Sequence, residues 1–573
     1  MIILLLICSL DATIFESEEQ KDLETYLFKM EELKENPVDI NTANLEELLK
    51  IPFLKIPDAL KIVAYRDKYG PFENLEDLYR IPSIDSITIA QLRPYLTVKK
   101  KPLRLRKIES RIRFKRNLKE NGSITYYTRN IVGINDYTIF LITERDPYEN
   151  SFFDYYSTGV LIEEQKRHFI MGRYNLDFGS GVMLSSTGSF FQGIDFRMLT
   201  SQRGIIPYTS TMENGGFFGA ALSDSLLLNY CLFYSNQRLD GTVDTAGYAR
   251  SFDESGEHID SLSQSRKDRI REEIFGYNVQ YRYGSLLFSN STYWSGYEPA
   301  FACDDSLTGF YGSNYWISGV DLKFFAEKFL VFGEVVRSFR NRPGGILGWS
   351  GVMPYNFEFN LATKYFSPGF YAPKGVESDE DHIGVVIDFN NRSRFINAGT
   401  TFNVFTDCNA DTSNYDLRLN LAKIVGFVEF KSQLRWLFHA GIKELSGSKI
   451  FLRLFPKNFL YFNLRLEDKY SFDDTIFRGI AGALDIGLDT KFVEFVIRLA
   501  VFDSENYKTR IFVFEPDLPG VINNRMLYGK GECGLIFIKL SPINKFNISL
   551  KYFAMNRDSL SQQFGIQLDT RWW

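Results

Sequence analysis

Val493-Glu494-Phe495-Val496-Ile497-Arg498-Leu499-Ala500-Val501 alternates large apolar side chains with a second set that carries two charges. An extended chain sends successive side chains to opposite faces, so Val493, Phe495, Ile497, Leu499 and Val501 share one face. Glu494, Val496, Arg498 and Ala500 share the other, whereas a helix would scatter both sets around its axis. One face suited to lipid and one able to carry charge are what a strand needs to separate hydrocarbon from water. The pattern recurs on both sides of this stretch. Phe357, Phe359, Leu361, Thr363 and Tyr365 share a face, as do Leu460, Phe462, Leu464 and Leu466 against Tyr461, Asn463 and Arg465. Phe546, Ile548, Leu550 and Tyr552 do the same around Asn547, Ser549 and Lys551. From Leu103 onward the period is two, which gives on the order of two dozen strands of roughly 9–11 residues, enough to cross a bilayer. Turns are expected at Gly122-Ser123, Asn390-Asn391 and Pro456-Lys457-Asn458.

Composition agrees. The 573 residues include 52 Phe and 32 Tyr, an aromatic load of 16% that a soluble multi-domain β-protein, the rival reading, explains less well. Hydrophobic residues are 45% and mean hydropathy is −0.18, too polar for a helical membrane protein. The expected fold is mostly β: a large antiparallel transmembrane β-barrel over 103–573 with a small all-α domain before it. Phe564, Ile566, Leu568, Thr570 and Trp572 alternate up to the closing Trp573. Outer-membrane barrels commonly end in such a strand, with a terminal aromatic read by the barrel-assembly machinery. Here the alternation is in phase with Trp572. The implied partners are outer-membrane lipid and that machinery.

Residues 1–15 read as a short secretory signal peptide, from the apolar run Met1–Cys8. Residues 16–36 read as a linker helix, with Leu23, Leu27, Met30 and Leu33 at helical spacing. Residues 37–98 then form a compact helical domain. Asn41-Thr42 offers an N-cap, Glu46 and Glu47 suit the first turn, and Ile51-Pro52 ends that helix. Ala59, Ile62, Val63 and Arg66 continue a second helix up to Gly70-Pro71. Leu75–Tyr79 and Thr88–Tyr95 are the third and fourth. Leu45, Leu48, Leu49, Ile62, Val63, Leu75, Leu78, Ile89 and Leu92 supply one core.

The order Ile40-Asn41-Thr42-Ala43, Leu45-Glu46-Glu47-Leu48, Tyr65-Arg66, Tyr69-Gly70-Pro71-Phe72, Leu75-Glu76-Asp77-Leu78 and Arg93-Pro94-Tyr95-Leu96 resembles the tandem helix-hairpin-helix domain of ComEA-type DNA-uptake proteins. Three barrel segments, Gly172–Gly181, Arg203–Tyr208 and Glu213–Ala221, resemble a group of uncharacterised Bacteroidetes-type envelope proteins that join this domain to a barrel. The resemblance implies a bacterial outer membrane, with the helical domain in the periplasm. In ComEA-type domains each hairpin carries a Gly-hydrophobic-Gly turn whose amides grip a DNA phosphate. The corresponding turns here are Phe53-Leu54-Lys55 and Ser83-Ile84-Asp85, so all four glycines are missing. A Cβ hinders close phosphate approach, and Asp85 would repel one. Over Pro37–Val98 seven bases face nine acids, a net charge of −2 where a DNA binder needs a positive footprint. Docking to a periplasmic protein partner therefore ranks ahead of DNA binding. Any nucleic-acid contact would come from Lys50, Lys55, Arg66 and Lys68.

A basic run spans Lys99 to Arg116. Read as the first strand it places Lys107, Arg111, Arg113 and Lys115 on one face. The simpler reading is a solvated face with a basic collar; the functional one is an anion-attracting lumen or a polynucleotide path.

The net charge of −5 gives no global pull toward nucleic acid. Five scattered cysteines show neither a zinc site nor a disulfide framework, and the four histidines stand isolated along the chain. Gly529-Lys530-Gly531-Glu532-Cys533-Gly534 spells a dinucleotide motif, but a strand follows it where a helix is required. Gln237–Glu273 reads as a polar loop with helix near Ser265–Glu273. The acidic run at 377–381 reads as a solvated loop. No catalytic constellation, metal site or cofactor is expected. The sequence supports a non-enzymatic barrel for transport, secretion or envelope organisation. A DNA-uptake protein is the alternative, and a barrel enzyme comes third; a His clustered with carboxylates would favour that third reading.

Overall fold

The computed structural model describes residues 33–572 except 35–36, 44, 52–53, 55, 82–83, 85–88, 90–91, 99–106, 119–123, 148, 150–153, 165–166, 186–201, 226–227, 254–255, 257, 259, 303–309, 327, 355–356, 376–381, 393–396, 408–412, 441, 458, 474, 522 and 544. The expected signal peptide, nearly all of the linker helix, the Gly122-Ser123 turn and the acidic run at 377–381 lie outside the described residues.

In the amino-terminal module, helices run over Leu45–Leu49 and Ile56–Tyr69, with a 3-10 turn at Leu75–Arg80. Gly70, at φ +91°, ends the long helix where a side chain would be strained. Of the expected fourth helix, Ile89 and Leu92 are helical and a turn follows through Tyr95. Leu48, Leu49, Ile62, Leu78, Ile89 and Leu92 are buried as expected, whereas Leu45, Val63 and Leu75 lie half-buried at the edge of the core.

Two features escape the helical period. Val38–Asp39 and Leu96–Thr97 pair as parallel strands and tie the two ends of the module together. Asn41, expected as an N-cap, instead clamps a residue far along the chain. Its Nδ2 donates to Phe72 O at 2.9 Å, and its Oδ1 accepts from Phe72 N at 2.8 Å. Asp39 accepts the local bonds, from Asn41 N and Thr42 Oγ1.

The remainder is a closed antiparallel barrel of 24 strands. The first, Lys107–Asn117, closes on the last, Leu560–Trp572, in the register Ile108↔Trp572 to Asn117↔Gln563. The period-two reading holds strand by strand. Leu499 and Val501 point outward at 62% and 60% exposure, while Val496, Ala500 and Phe502 point inward and are buried. Leu361 and Tyr365 are exposed against buried Glu358, Asn360 and Lys364. Phe564, Ile566 and Trp572 are exposed against Gln567 and Asp569. The outer surface is thus an apolar band and the inner wall carries the charge, the distribution of an outer-membrane-type barrel.

Reversals at one end are short, as between Ile134 and Tyr137, Tyr283 and Leu286, or Val425 and Val428. At the other end the connections are long, over 178–216, 240–269 and 505–528. Two expectations shift. Asn390 and Asn391 lie within the strand His382–Arg392, paired with Gly399 and Ala398, because their neighbours continue the ladder. The helix expected near Ser265–Glu273 is Ser261–Arg266, and Ile270–Tyr283 is already barrel strand. There Ile270 and Ile274 face inward, fully buried, so the strand's alternation outweighs local helix preference.

The module does not stand apart. Helix Ile56–Tyr69 packs against the neighbouring strands Phe329–Arg337 and Pro343–Val352. Its core is continuous with inward-facing residues of the barrel in one apolar cluster.

Candidate functional site in the barrel lumen

A chain connecting two strands can reverse outside the barrel or fold back into it, and the bonds it makes decide which. The 505–528 connection folds inward. Its hairpin, Ile511–Glu515 paired with Asn523–Leu527, buries Ile511, Val513 and Leu527 against Ala481 and Phe502 of the inner wall. At its tip Leu518 and Val521 pack with Tyr461, Val496, Leu535, Phe537 and Phe553. Each such side chain contributes about 1.5–3 kcal/mol by leaving water. Wall charges then take up its polar groups. Lys551 pairs with Asp517 and with Glu515, and within the hairpin Arg525 pairs with Glu515 at 2.6 Å. Arg498, held bidentate by Asp485, donates to Phe514 O, and Arg465 donates to Phe512 O.

The opposite arc is filled by the segment that follows strand Arg167–Asp177. Gly179 and Gly181 have φ +69° and +89°, which turns successive amides toward one point. The Glu334 carboxylate, on the inner wall, accepts from Ser180 N at 2.7 Å, Val182 N at 3.0 Å and Met183 N at 3.3 Å. Ser180 Oγ donates to Asp321 at 2.7 Å, and Lys323 Nζ donates to Gly179 O at 2.9 Å. Glu334, Asp321 and Lys323 of that wall patch are each met by the inserted chain. The glycine-bearing segment singled out in the sequence thus runs from barrel strand, up to Asp177, into the start of a lumen insert at Gly179–Gly181.

Of the expected basic face, Arg111 and Arg113 lie buried on the inner wall. Arg111 forms an ion pair with Asp569 at 2.6 Å, with both side chains about one-tenth exposed. Arg113 donates to Gln567 Oε1 at 2.7 Å and to Pro519 O, at the tip of the hairpin, at 2.9 Å. Lys115 lies on the same inward face, beside Gly565. The Lys107 side chain is outside the described set. This face is thus spent in part on holding the hairpin.

Of the expected nucleic-acid residues, Lys50 is half-buried and Lys68 lies 5.1 Å from the Tyr69 ring. Lys55 is outside the described residues, as are Phe53, Ser83 and Asp85. Arg66 holds the module together, since its Nη1 donates to Ile40 O at 3.0 Å and Ala43 O at 2.8 Å. Leu54 and Ile84, the middle residues of the two turns, are buried in the module core.

His258 is isolated along the chain but not in space. Asp154 Oδ2 lies 2.7 Å from Nδ1, and Asp240 Oδ2 lies 3.1 Å from Nε2, with Glu149 and Glu213 close by. Burial pushes Glu149 up to about 7 and Glu213 up to about 9. Burial acts the same way on Asp154, but bonds from Lys267 and His258 outweigh it and hold that carboxyl below its usual value. No sequence signal could have found the group, since its members come from three connections, 146–154, 178–216 and 240–269.

Residues 33–97 match the family model described as the helix-hairpin-helix motif. Over 62 residues the chain is 37% identical to ComE operon protein 1 of Bacillus subtilis (strain 168), covering 11% of this chain and 30% of that one. Over 56 residues it is 41% identical to the mouse endonuclease/exonuclease/phosphatase family domain-containing protein 1, covering 10% of each. The chain therefore spans less than a third of either relative. Among solved structures it is similar to the P pilus usher (PapC) translocation pore, at TM-score 0.37 and 9% identity, covering 82% of this chain and 99% of that one. It is also similar to the FrpB iron transporter of Neisseria meningitidis, at TM-score 0.40 and 8% identity, covering 82% of each. The strand pairing and the two-faced wall themselves define the barrel. The chain joins a helix-hairpin-helix module at residues 33–97 to a closed 24-strand barrel of the outer-membrane type.

Proposed function

We propose that the protein is a non-enzymatic outer-membrane barrel serving transport, secretion or envelope organisation, whose helix-hairpin-helix module is a docking module rather than a DNA grip. The observation that carries the reading is the packing of helix Ile56–Tyr69 on strands Phe329–Arg337 and Pro343–Val352. A module that already uses a long face on its own barrel is suited to coupling the barrel to a partner. The first strand begins at Lys107, paired with Gly133 beside a short reversal, and short turns are periplasmic in outer-membrane barrels, which supports a periplasmic module docking a periplasmic protein. The two lumen inserts suit a passage held narrow until such a partner acts.

The alternative, DNA uptake, draws on the motif itself. Against it stand the module charge of −2 and the commitment of Arg66 to carbonyls. The enzyme reading draws on His258 among carboxylates. Among the described residues no hydroxyl or thiol bonds its ring, and carboxylates flank both nitrogens, so no activated nucleophile is formed.

The test adds isolated module 37–98 to the module-deleted barrel in planar bilayers. Micromolar association that lowers conductance is expected. No association, together with salt-sensitive micromolar binding of duplex DNA by the module, would put DNA uptake first.

A further inference from the structure

The His258 cluster lies among the connections 146–154, 178–216 and 240–269, and nothing in the proposed function uses it. We propose that His258 Nε2, Asp240 and Glu213 form a binding site for one divalent transition cation of the Zn2+ class, clasping these connections together.

Four observations converge on it. The first is the orientation of the ring. Asp154 Oδ2 accepts from Nδ1 at 2.7 Å, which fixes the imidazole and leaves Nε2 as the metal-facing atom. A metal-bound histidine almost always has its other nitrogen held by a carboxylate or carbonyl in this way.

The second is the division of charge across the ring. On the Nδ1 side Lys267 Nζ lies 2.7 Å from Asp154 and compensates it. On the Nε2 side stand Asp240 and Glu213, and the Glu213 carboxylate accepts no hydrogen bond among the described residues, although its side chain is only 15% exposed. A buried carboxylate without a donor is costly unless a proton or a cation joins it.

The third is spacing. Asp240 Oδ2 lies 3.1 Å and Glu213 Oε2 3.8 Å from Nε2, and the three ligand atoms lie within 4.8 Å of one another. Ligands about 2.0–2.1 Å from a tetrahedral Zn2+ stand roughly 3.3 Å apart, so small side-chain adjustments close the set, with water as the fourth ligand.

The fourth is support around the site. Asp240 Oδ1 accepts from Asp268 N at 2.7 Å. Asn214 Oδ1 accepts from Asp240 N at 2.8 Å, and its Nδ2 donates to Asp240 O and Asp253 O. Arg173 donates to Glu213 O at 3.1 Å. The backbone carrying both carboxylates is thereby held in place. One imidazole and two carboxylates suit Zn2+ and its neighbours, whereas Ca2+ and Mg2+ take all-oxygen sets.

The test uses the full-length protein in detergent, stripped with a chelator and titrated with Zn2+ against a chromophoric competitor. One saturable equivalent is expected. His258→Ala should weaken it by at least 100-fold and Glu213→Gln by at least 10-fold. Asp154→Asn, which removes the orienting carboxylate and its Lys267 ion pair but no proposed ligand, should cost about 10–100-fold with stoichiometry kept. Co2+ in place of Zn2+ should give the visible absorption of a tetrahedral site, lost in His258→Ala. Absence of saturable binding, unchanged affinity in Glu213→Gln, or equal affinity for Ca2+ would overturn the proposal. Should His258→Ala fail to fold, judged by lost heat-modifiability, Glu213→Gln decides, since it breaks no hydrogen bond.

Discussion

Arg66 shows how one side chain can look functional and prove architectural. It sits on the long helix near the hairpin face, where a phosphate contact would be sought, yet its guanidinium bridges Ile40 O and Ala43 O. Bonds from a charged donor are worth about 1.5–3 kcal/mol each, less where water can substitute. Arg66→Ala should therefore destabilise the isolated module by roughly 2 kcal/mol, read by thermal unfolding followed by circular dichroism. An unchanged midpoint would contradict the assignment. Both bonds leave from Nη1 alone, so Arg66→Lys should restore part of the loss through its three ammonium donors. Gly179 is the counterpart in the barrel. A Cβ there would lie 2.9 Å from Glu334 Oε2 at φ +69°, so Gly179→Ala should loosen the insert. Faster proteolysis of the 178–216 connection in the folded protein is the expected readout.

Among elements, the inward hairpin bears most on passage through the barrel. Its apolar face lies on the wall and its carbonyls accept from Arg113, Arg465 and Arg498, donors on three different strands. So many independent anchors hold it in place as a constriction while no partner acts. Replacing 508–526 by a short Gly-Ser turn should leave the 24 strands paired and raise single-channel conductance several-fold in planar bilayers. Unaltered conductance with the barrel still folded would show that the narrowest point lies elsewhere.

For the whole molecule, the exposed apolar band predicts recovery with outer membrane and a folded form that migrates differently on a gel before and after boiling. Recovery without detergent would sink the barrel. The fragment 37–98 should fold alone as a small helical domain, since Leu48, Ile62, Leu78 and Leu92 meet in its own core. A disordered spectrum would argue that the barrel is needed to complete it. The same fragment should bind duplex DNA weakly or not at all at physiological salt, and tight, salt-sensitive binding would reverse the ranking of functions.

What the chain determined by itself is what depends on near neighbours. A residue and its second neighbour share a strand face, so the lipid band and the closing strand at Trp572 were legible from alternation. The long helix up to Gly70 and the module's core positions followed from the 3.6 period in the same way. Tertiary structure alone decided what joins residues far apart. Asn41 meets Phe72, Val38 pairs with Leu96, and Glu334 gathers the amides of Ser180, Val182 and Met183. His258 draws Asp154, Asp240 and Glu213 from separate connections. Such meetings depend on how a closed sheet brings its connections together over the lumen and above its rim. A local period carries no record of that geometry, so it became visible only when the first strand met the last.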